Sequence, residues 1–320
     1  MSEVFTDSFI SMLNALSQIF IVILGAGILV RRRIVSQNDI RVLSKITVII
    51  LLPSFIFANT LESFNPDKLP LWWLLPLLGM LMSLIGVLFA AGVFAFDYSK
   101  HRNLIAVASM QNAGYLVFPI GKILYPEQFN EFALITFLFI LGYNPLLWTL
   151  GKYYITASDR PQKIEYKSLI TPPAVANILA LLLVLAGIQA YIPKELIKPV
   201  ELVGDAAIPV ATFVLGATLG AVSWSRFPKW FDCLRVILVK YVLLPVITIA
   251  LLRYFNLGQT RPLLSDFLVI QSAAAPATGL ILMVRTYGGQ TQKVASAMII
   301  SYLVCLFAMP FWIALWHYIQ

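Results

Sequence analysis

The chain alternates long apolar blocks with short polar punctuation, and the length of the blocks sets the first constraint. A helix that crosses a bilayer needs about 20 predominantly apolar residues. Ten stretches of roughly that length, bounded by charged or turn residues, can be marked out. They run over Phe9–Val30, Leu43–Leu61, Leu71–Phe96, Asn103–Leu124 and Phe132–Leu150 in the first half. The second half gives Pro172–Ala190, Val200–Val222, Leu234–Leu252, Phe267–Val284 and Val294–Trp316. The remainder suffices for short loops. The pattern therefore predicts an all-α polytopic membrane protein without a sizeable soluble domain. The fourth and ninth blocks stand apart, because each carries polar residues and a central proline.

Composition agrees with this reading. Of 320 residues, 60% are apolar and 12% charged, whereas a soluble domain has about 45–50% and about 25%. The net charge of +8 does not point to nucleic acid, since the basic residues sit at the ends of apolar blocks. Cytoplasmic loops carry the excess of Lys and Arg. Placing the odd-numbered loops inside leaves only Lys68, Lys122, Lys194, Lys198, Arg253 and Arg261 on the other side, out of 23 basic residues. That alternation supports ten spans with both termini on the non-cytoplasmic side. The first residues, with Glu3 and Asp7 and no basic run, do not read as a cleaved signal peptide.

Internal similarity divides the chain in two. Ala26-Gly27-Ile28 recurs as Ala186-Gly187-Ile188, while Gly114 with Gly279, Pro145 with Pro310 and Tyr125 with Tyr287 recur at closely similar offsets. Five spans per copy is an odd number, so the second copy must be inverted. The expected organisation is a five-helix repeat over 1–151, a short cytoplasmic loop over 152–171 and an inverted five-helix repeat over 172–320.

The two unusual blocks carry the candidate chemistry. The fourth contains Gln111-Asn112-Ala113-Gly114 and then Pro119; the ninth contains Ala275-Pro276-Ala277-Thr278-Gly279. Proline removes a backbone donor and clashes with the preceding turn, and glycine eases departure from helical geometry. A single proline more often just kinks a helix; a matched pair in equivalent spans favours two broken helices, at Pro119 and Pro276. Breaks at bilayer depth are tolerated only when buried in protein or lining a watered cavity. Crossed near the midplane, the second half-helices would present N-terminal partial charges of about +0.5 each, a site for a carboxylate that needs no buried Lys or Arg. Gln111 reads equally well as interhelical glue or as a ligand contact; Asn112 reads better as a contact.

At these residues the chain resembles the auxin efflux carrier family, which holds plant PIN-type exporters and bacterial malonate-carrier-like permeases. The resemblance extends to Gly142-Tyr143-Asn144-Pro145, to Ile208-Pro209 with Leu215-Gly216-Ala217-Thr218-Leu219, and to Tyr287-Gly288-Gly289. It implies a bile-acid-transporter-like fold, with spans 1, 2, 6 and 7 as scaffold and spans 3–5 and 8–10 as a transport domain. It also implies elevator-type alternating access and a homodimer through the scaffold. By motif, Asn112, Gly114 and the Pro276–Gly279 segment (Pro276, Ala277, Thr278, Gly279) would meet substrate, with Tyr143 and Asn144 from span five and Ser54 from the scaffold. The short central loop favours a bacterial-type permease of the cell membrane over the plant exporters.

The implied function is secondary transport of a small organic anion, a mono- or dicarboxylate, across the lipid bilayer. The alternative is an anion channel or membrane sensor on the same fold. An enzyme is not expected: no GxxxxGK[ST], HExxH or GxSxG occurs, and His101 and His317 offer no metal-ligand spacing. No cofactor is expected. Asp205 and Lys240 lie within blocks but within snorkelling reach of an interface, and Gly216 with Gly220 reads either as packing within the chain or as a dimer seam.

Overall fold

A computed structural model describes residues 3–156, 170–222, 229–288 and 290–320. The central loop beyond Thr156 and the second glycine of Tyr287-Gly288-Gly289 fall outside the described residues. The structure is helical, and among the described residues it contains no strand. Its main helices are α1 (Glu3–Arg31), α2 (Gln37–Ser63), α3 (Leu74–Val93), α4 (Tyr98–Ser109), α5 (Val117–Leu124) and α6 (Pro126–Ile155). They are followed by α7 (Pro172–Leu185), α8 (Lys194–Gly220), α9 (Trp230–Tyr254), α10 (Pro262–Ser272), α11 (Gly279–Tyr287) and α12 (Thr291–Ile319). Seven of these, α1, α2, α3, α6, α8, α9 and α12, are long and apolar enough to cross a bilayer, and α7 is apolar but shorter.

Local chemistry explains the boundaries. The Ser36 hydroxyl accepts from the Asp39 amide while the Asp39 carboxylate accepts from the Ser36 amide, a reciprocal cap that starts α2. Among the described residues, three helices contain a wide π turn near a proline: Thr47–Leu51 before Pro53, Leu147–Gly151 after Pro145, and Val239–Leu243 before Pro245. In α9 the carbonyl that Pro245 leaves without an amide, that of Tyr241, accepts the Trp312 indole N–H at 2.7 Å. The sixth apolar block was expected to be helical to Ala190, but α7 stops at Leu185 because Gly187 turns the chain left-handed at φ 71°. Gly27, by contrast, lies inside α1. The Ala-Gly-Ile similarity between the halves is thus not a structural equivalence.

Helix α1 packs on α8 and α12, α2 on α7 and α8, and α3 on α4 and α6. The α1–α8 crossing depends on bare backbone: a Cβ on Gly220 would stand 2.4 Å from the Gly27 Cα, and one on Gly216 2.4 Å from the Ile23 carbonyl oxygen. The Gly216–Gly220 pair therefore seats α8 against α1 within one chain, and the reading of it as a dimer seam is overturned. Asp205 is exposed. At one end of the bundle the α3–α4 turn is tied to α9. The Arg235 guanidinium donates to both oxygens of Asp97 at 2.8 Å, and His101 lies 3.1 Å from Asp97 and 3.0 Å from Asp232.

Candidate functional site

In the fourth and ninth blocks a non-helical segment that carries polar residues lies between two helices. Helix α4 ends at Ser109 and α5 begins at Val117; α10 ends at Ser272 and α11 begins at Gly279. The two connecting segments lie against each other. The Asn112 amide donates to the Ala275 carbonyl at 2.6 Å, and the Ala277 amide donates to the Met110 carbonyl at 3.0 Å. These bonds flank an isolated antiparallel bridge between Gln111 and Pro276. Pro276 occupies the pair position that exchanges no hydrogen bond across the bridge, so its missing N–H leaves no acceptor orphaned. The alanines at 273, 274, 275 and 277 let the two backbones touch. Pro119 sits in the first turn of α5, where proline is tolerated, and the seven non-helical residues Met110 to Leu116 precede it.

Side chains from neighbouring helices hold the crossing together. The Asn112 side-chain amide donates to the Tyr302 hydroxyl at 2.8 Å, and that hydroxyl donates to the Pro276 carbonyl at 3.0 Å. The Asn112 side-chain oxygen accepts the Leu116 amide at 3.3 Å, just before α5. The Tyr143 hydroxyl donates to the Gln111 carbonyl at 2.5 Å, and the Cys305 thiol to the Ala273 carbonyl at 3.6 Å. The Lys240 ammonium donates to the Met110 carbonyl at 3.3 Å. The carbonyls at the crossing are thus well supplied with donors. The amides are not: among the described residues, those of Gln111, Gly114, Tyr115, Thr278 and Gly279 meet no protein acceptor, and neither α5 nor α11 has a side-chain cap. The Gln111 side chain is fully buried, and neither its nitrogen nor its oxygen has a partner. Gln271, in the last turn before the second segment, is in the same condition.

A cavity of about 230 Å³ adjoins these amides. It is lined by Gln111, Asn112, Gly114, Tyr143, Asn144, Ala277, Thr278 and Gly279, with Ser44, Val48, Leu52 and Ile56 from α2 and Val214 and Thr218 from α8. Among the described residues, no Asp, Glu, Lys or Arg lines it. Most of the residues singled out in the sequence therefore meet here. Pro276 is buried and does not line the cavity, and neither does Ser54. Ser54 lines a separate groove with Pro53, Phe57, Pro172 and Val175 on another face of α2. Tyr302 escaped the sequence reading because nothing distinguishes it among the residues of the last apolar block. Lys240, which its place in the eighth block puts within reach of an interface, is wholly buried.

Comparison with known proteins agrees in type. Residues 11–313 match the model of a family described as membrane transport protein. The chain is 22% identical over 290 residues to an uncharacterized transporter of Methanocaldococcus jannaschii, covering 87% of this chain and 90% of that one. It is 23% identical over 295 residues to an uncharacterized transporter of Escherichia coli K12, covering 88% and 90%. It is also 26% identical over 162 residues to protein PIN-LIKES 3 of Arabidopsis thaliana, covering 47% and 41%.

Proposed function

Since the chain belongs to the membrane transport protein family, that of the auxin efflux carriers, we propose that it is a secondary transporter of a small organic anion that binds at the crossing. The observation that carries this reading is the asymmetry of the crossing itself. Its carbonyls are occupied by Tyr143, Tyr302, Lys240 and Cys305, while its amides at Gly114, Tyr115, Thr278 and Gly279 are unpartnered beside a cavity. An apolar cavity edged with surplus donors and, among the described residues, no acidic side chain suits a carboxylate. A hydrogen bond to a charged group contributes about 1.5–3 kcal/mol, so a few such amides suffice for selective binding without a cation in the lining.

In this reading the seven long helices, α7 and the two interrupted pairs α4–α5 and α10–α11 make ten spans in two inverted sets of five. Both termini lie on the non-cytoplasmic side of a cell membrane. Helices α1, α2, α7 and α8 form the scaffold, able to pair with a second copy, and the remaining helices carry the crossing. Two features favour alternating access of the elevator kind. The crossing is bonded internally, through α6, α9 and α12. Its contact with the scaffold across the cavity is made largely of apolar side chains on α2 and α8, a surface along which a body can slide. The second reading, an anion channel or sensor, would use the same amides with a fixed body.

Thermal unfolding of the purified protein with short mono- and dicarboxylates, with and without sodium, tests the ligand class. At least one carboxylate should raise the unfolding temperature saturably and its neutral amide should not. Equal stabilisation by both, or by neither across the whole panel, contradicts it.

A further inference from the structure

Among the described residues, Lys240 is the charged group that touches the crossing from behind. It lies in the π turn of α9, ten residues after Trp230. At 1.5 Å per residue this is about 15 Å along the helix, half of a hydrocarbon core about 30 Å thick. Its side chain has no exposed surface, and no carboxylate among the described residues pairs with it. Its bond to the Met110 carbonyl places it at the C-terminal end of α4, where the helix dipole welcomes a cation. A buried ammonium held, among the described residues, only by a carbonyl is expensive, and the Met110 carbonyl would keep a donor without it, because it also accepts the Ala277 amide.

The peptide between Met110 and Gln111 shows what the charge can reach. Its carbonyl faces the partner segment and Lys240. In an antiparallel pair of this kind, the N–H and C=O of the bridge residue Gln111 both face away from the partner segment. The Gln111 carbonyl on that side takes the hydroxyl of the cavity-lining Tyr143, and the Gln111 amide beside it has no acceptor. A cation on one end of a peptide polarises it and strengthens the donor at the other.

We propose that Lys240 is the specificity-determining cation of this site: acting through the Met110–Gln111 peptide, it charges the Gln111 amide to receive a carboxylate oxygen. Lys240 itself stays out of the cavity, so the bound anion is balanced without a direct ion pair that would have to break for release. The inference rests on the anion reading above and adds to it the residue that sets the sign of the ligand.

The test uses Lys240→Met and Lys240→Gln in the full-length purified protein, with malonate and its uncharged diamide as probes. Without probe, a cation kept for binding is a burden on the fold, so both variants should unfold at or above the wild-type temperature. Lys240→Gln retains a donor for Met110 and should bind malonate about 10–100-fold more weakly, with any affinity for the diamide unchanged. Unfolding of both variants below the wild-type temperature would identify Lys240 as a structural anchor and overturn the proposal. So would wild-type malonate affinity in Lys240→Gln. If the wild-type protein binds no carboxylate at all, the anion reading falls, and the unfolding temperatures still decide between anchor and retained cation.

Discussion

Asn112 and Tyr302 lie 190 positions apart in the chain and share a buried hydrogen bond of 2.8 Å, with the Tyr302 hydroxyl passing a second bond to Pro276. One residue of the last helix thus joins both interrupted segments. Asn112 both lines the cavity and holds the crossing closed, since its oxygen also steadies the Leu116 amide at the start of α5. One side chain thus serves both the cavity lining and the architecture.

Asn112→Ala leaves the Tyr302–Pro276 bond in place but strips an acceptor from Leu116. The expected outcome is a folded, inserted protein destabilised by about 1–3 kcal/mol, with carboxylate uptake abolished or strongly reduced. Unchanged uptake kinetics would remove Asn112 from the site.

Gly279 opens α11 at the cavity wall, and a Cβ there would find its nearest neighbour at 3.9 Å, on Leu147. Gly279→Ala should therefore fold and bind normally, while Gly279→Leu fills the cavity and blocks binding. The two variants, compared by ligand-induced thermal shift, separate loss of space from loss of backbone freedom; equal effects would contradict the geometry.

The α1–α8 crossing supplies a stability prediction independent of transport. Gly220→Ala places a methyl group against the Gly27 backbone, whereas Gly25→Ala meets nothing within 4 Å. The first should lower stability by about 1–3 kcal/mol and the second should leave it unchanged or slightly raised. Thermal unfolding in detergent measures both.

Asp97 lies outside the membrane-spanning helices, and its bond from Arg235 holds its carboxyl below the ordinary value, against an opposing effect of burial. A carboxyl depressed in the folded state stabilises fully above its unfolded pKa, about 3.9, and loses that contribution as pH falls through the folded value. The stability gap between wild type and Asp97→Asn should be present at neutral pH and close as the pH drops below about 4. A gap that is constant through the acid range would deny the ion pair this role.

The sequence carried the membrane class and the neighbourhood of the crossing, because proline, glycine and amide side chains inside apolar blocks are conspicuous. Gln111, Asn112, Gly114, Tyr143, Asn144, Thr278 and Gly279 do line one cavity. Ser54 was out of reach for a physical reason. The π turn at Thr47–Leu51 shifts the helical phase just before it, so a residue carried over by family motif alone lands on another face. Lys240 was misplaced because α9 begins at Trp230 rather than Leu234, which moves its side chain a full turn deeper. Tyr302 gives no signal among the aromatic and apolar residues of the last block; only the fold brings it to Asn112.

The central claim is that a carboxylate binds the amides of the crossing and is carried by a moving body. Counterflow of labelled malonate and related short carboxylates into proteoliposomes preloaded with the same unlabelled compound tests it most directly. The account predicts transient, saturable accumulation of at least one of them, lost in Asn112→Ala and Gly279→Leu. A flux that rises without saturation and shows no counterflow would contradict it.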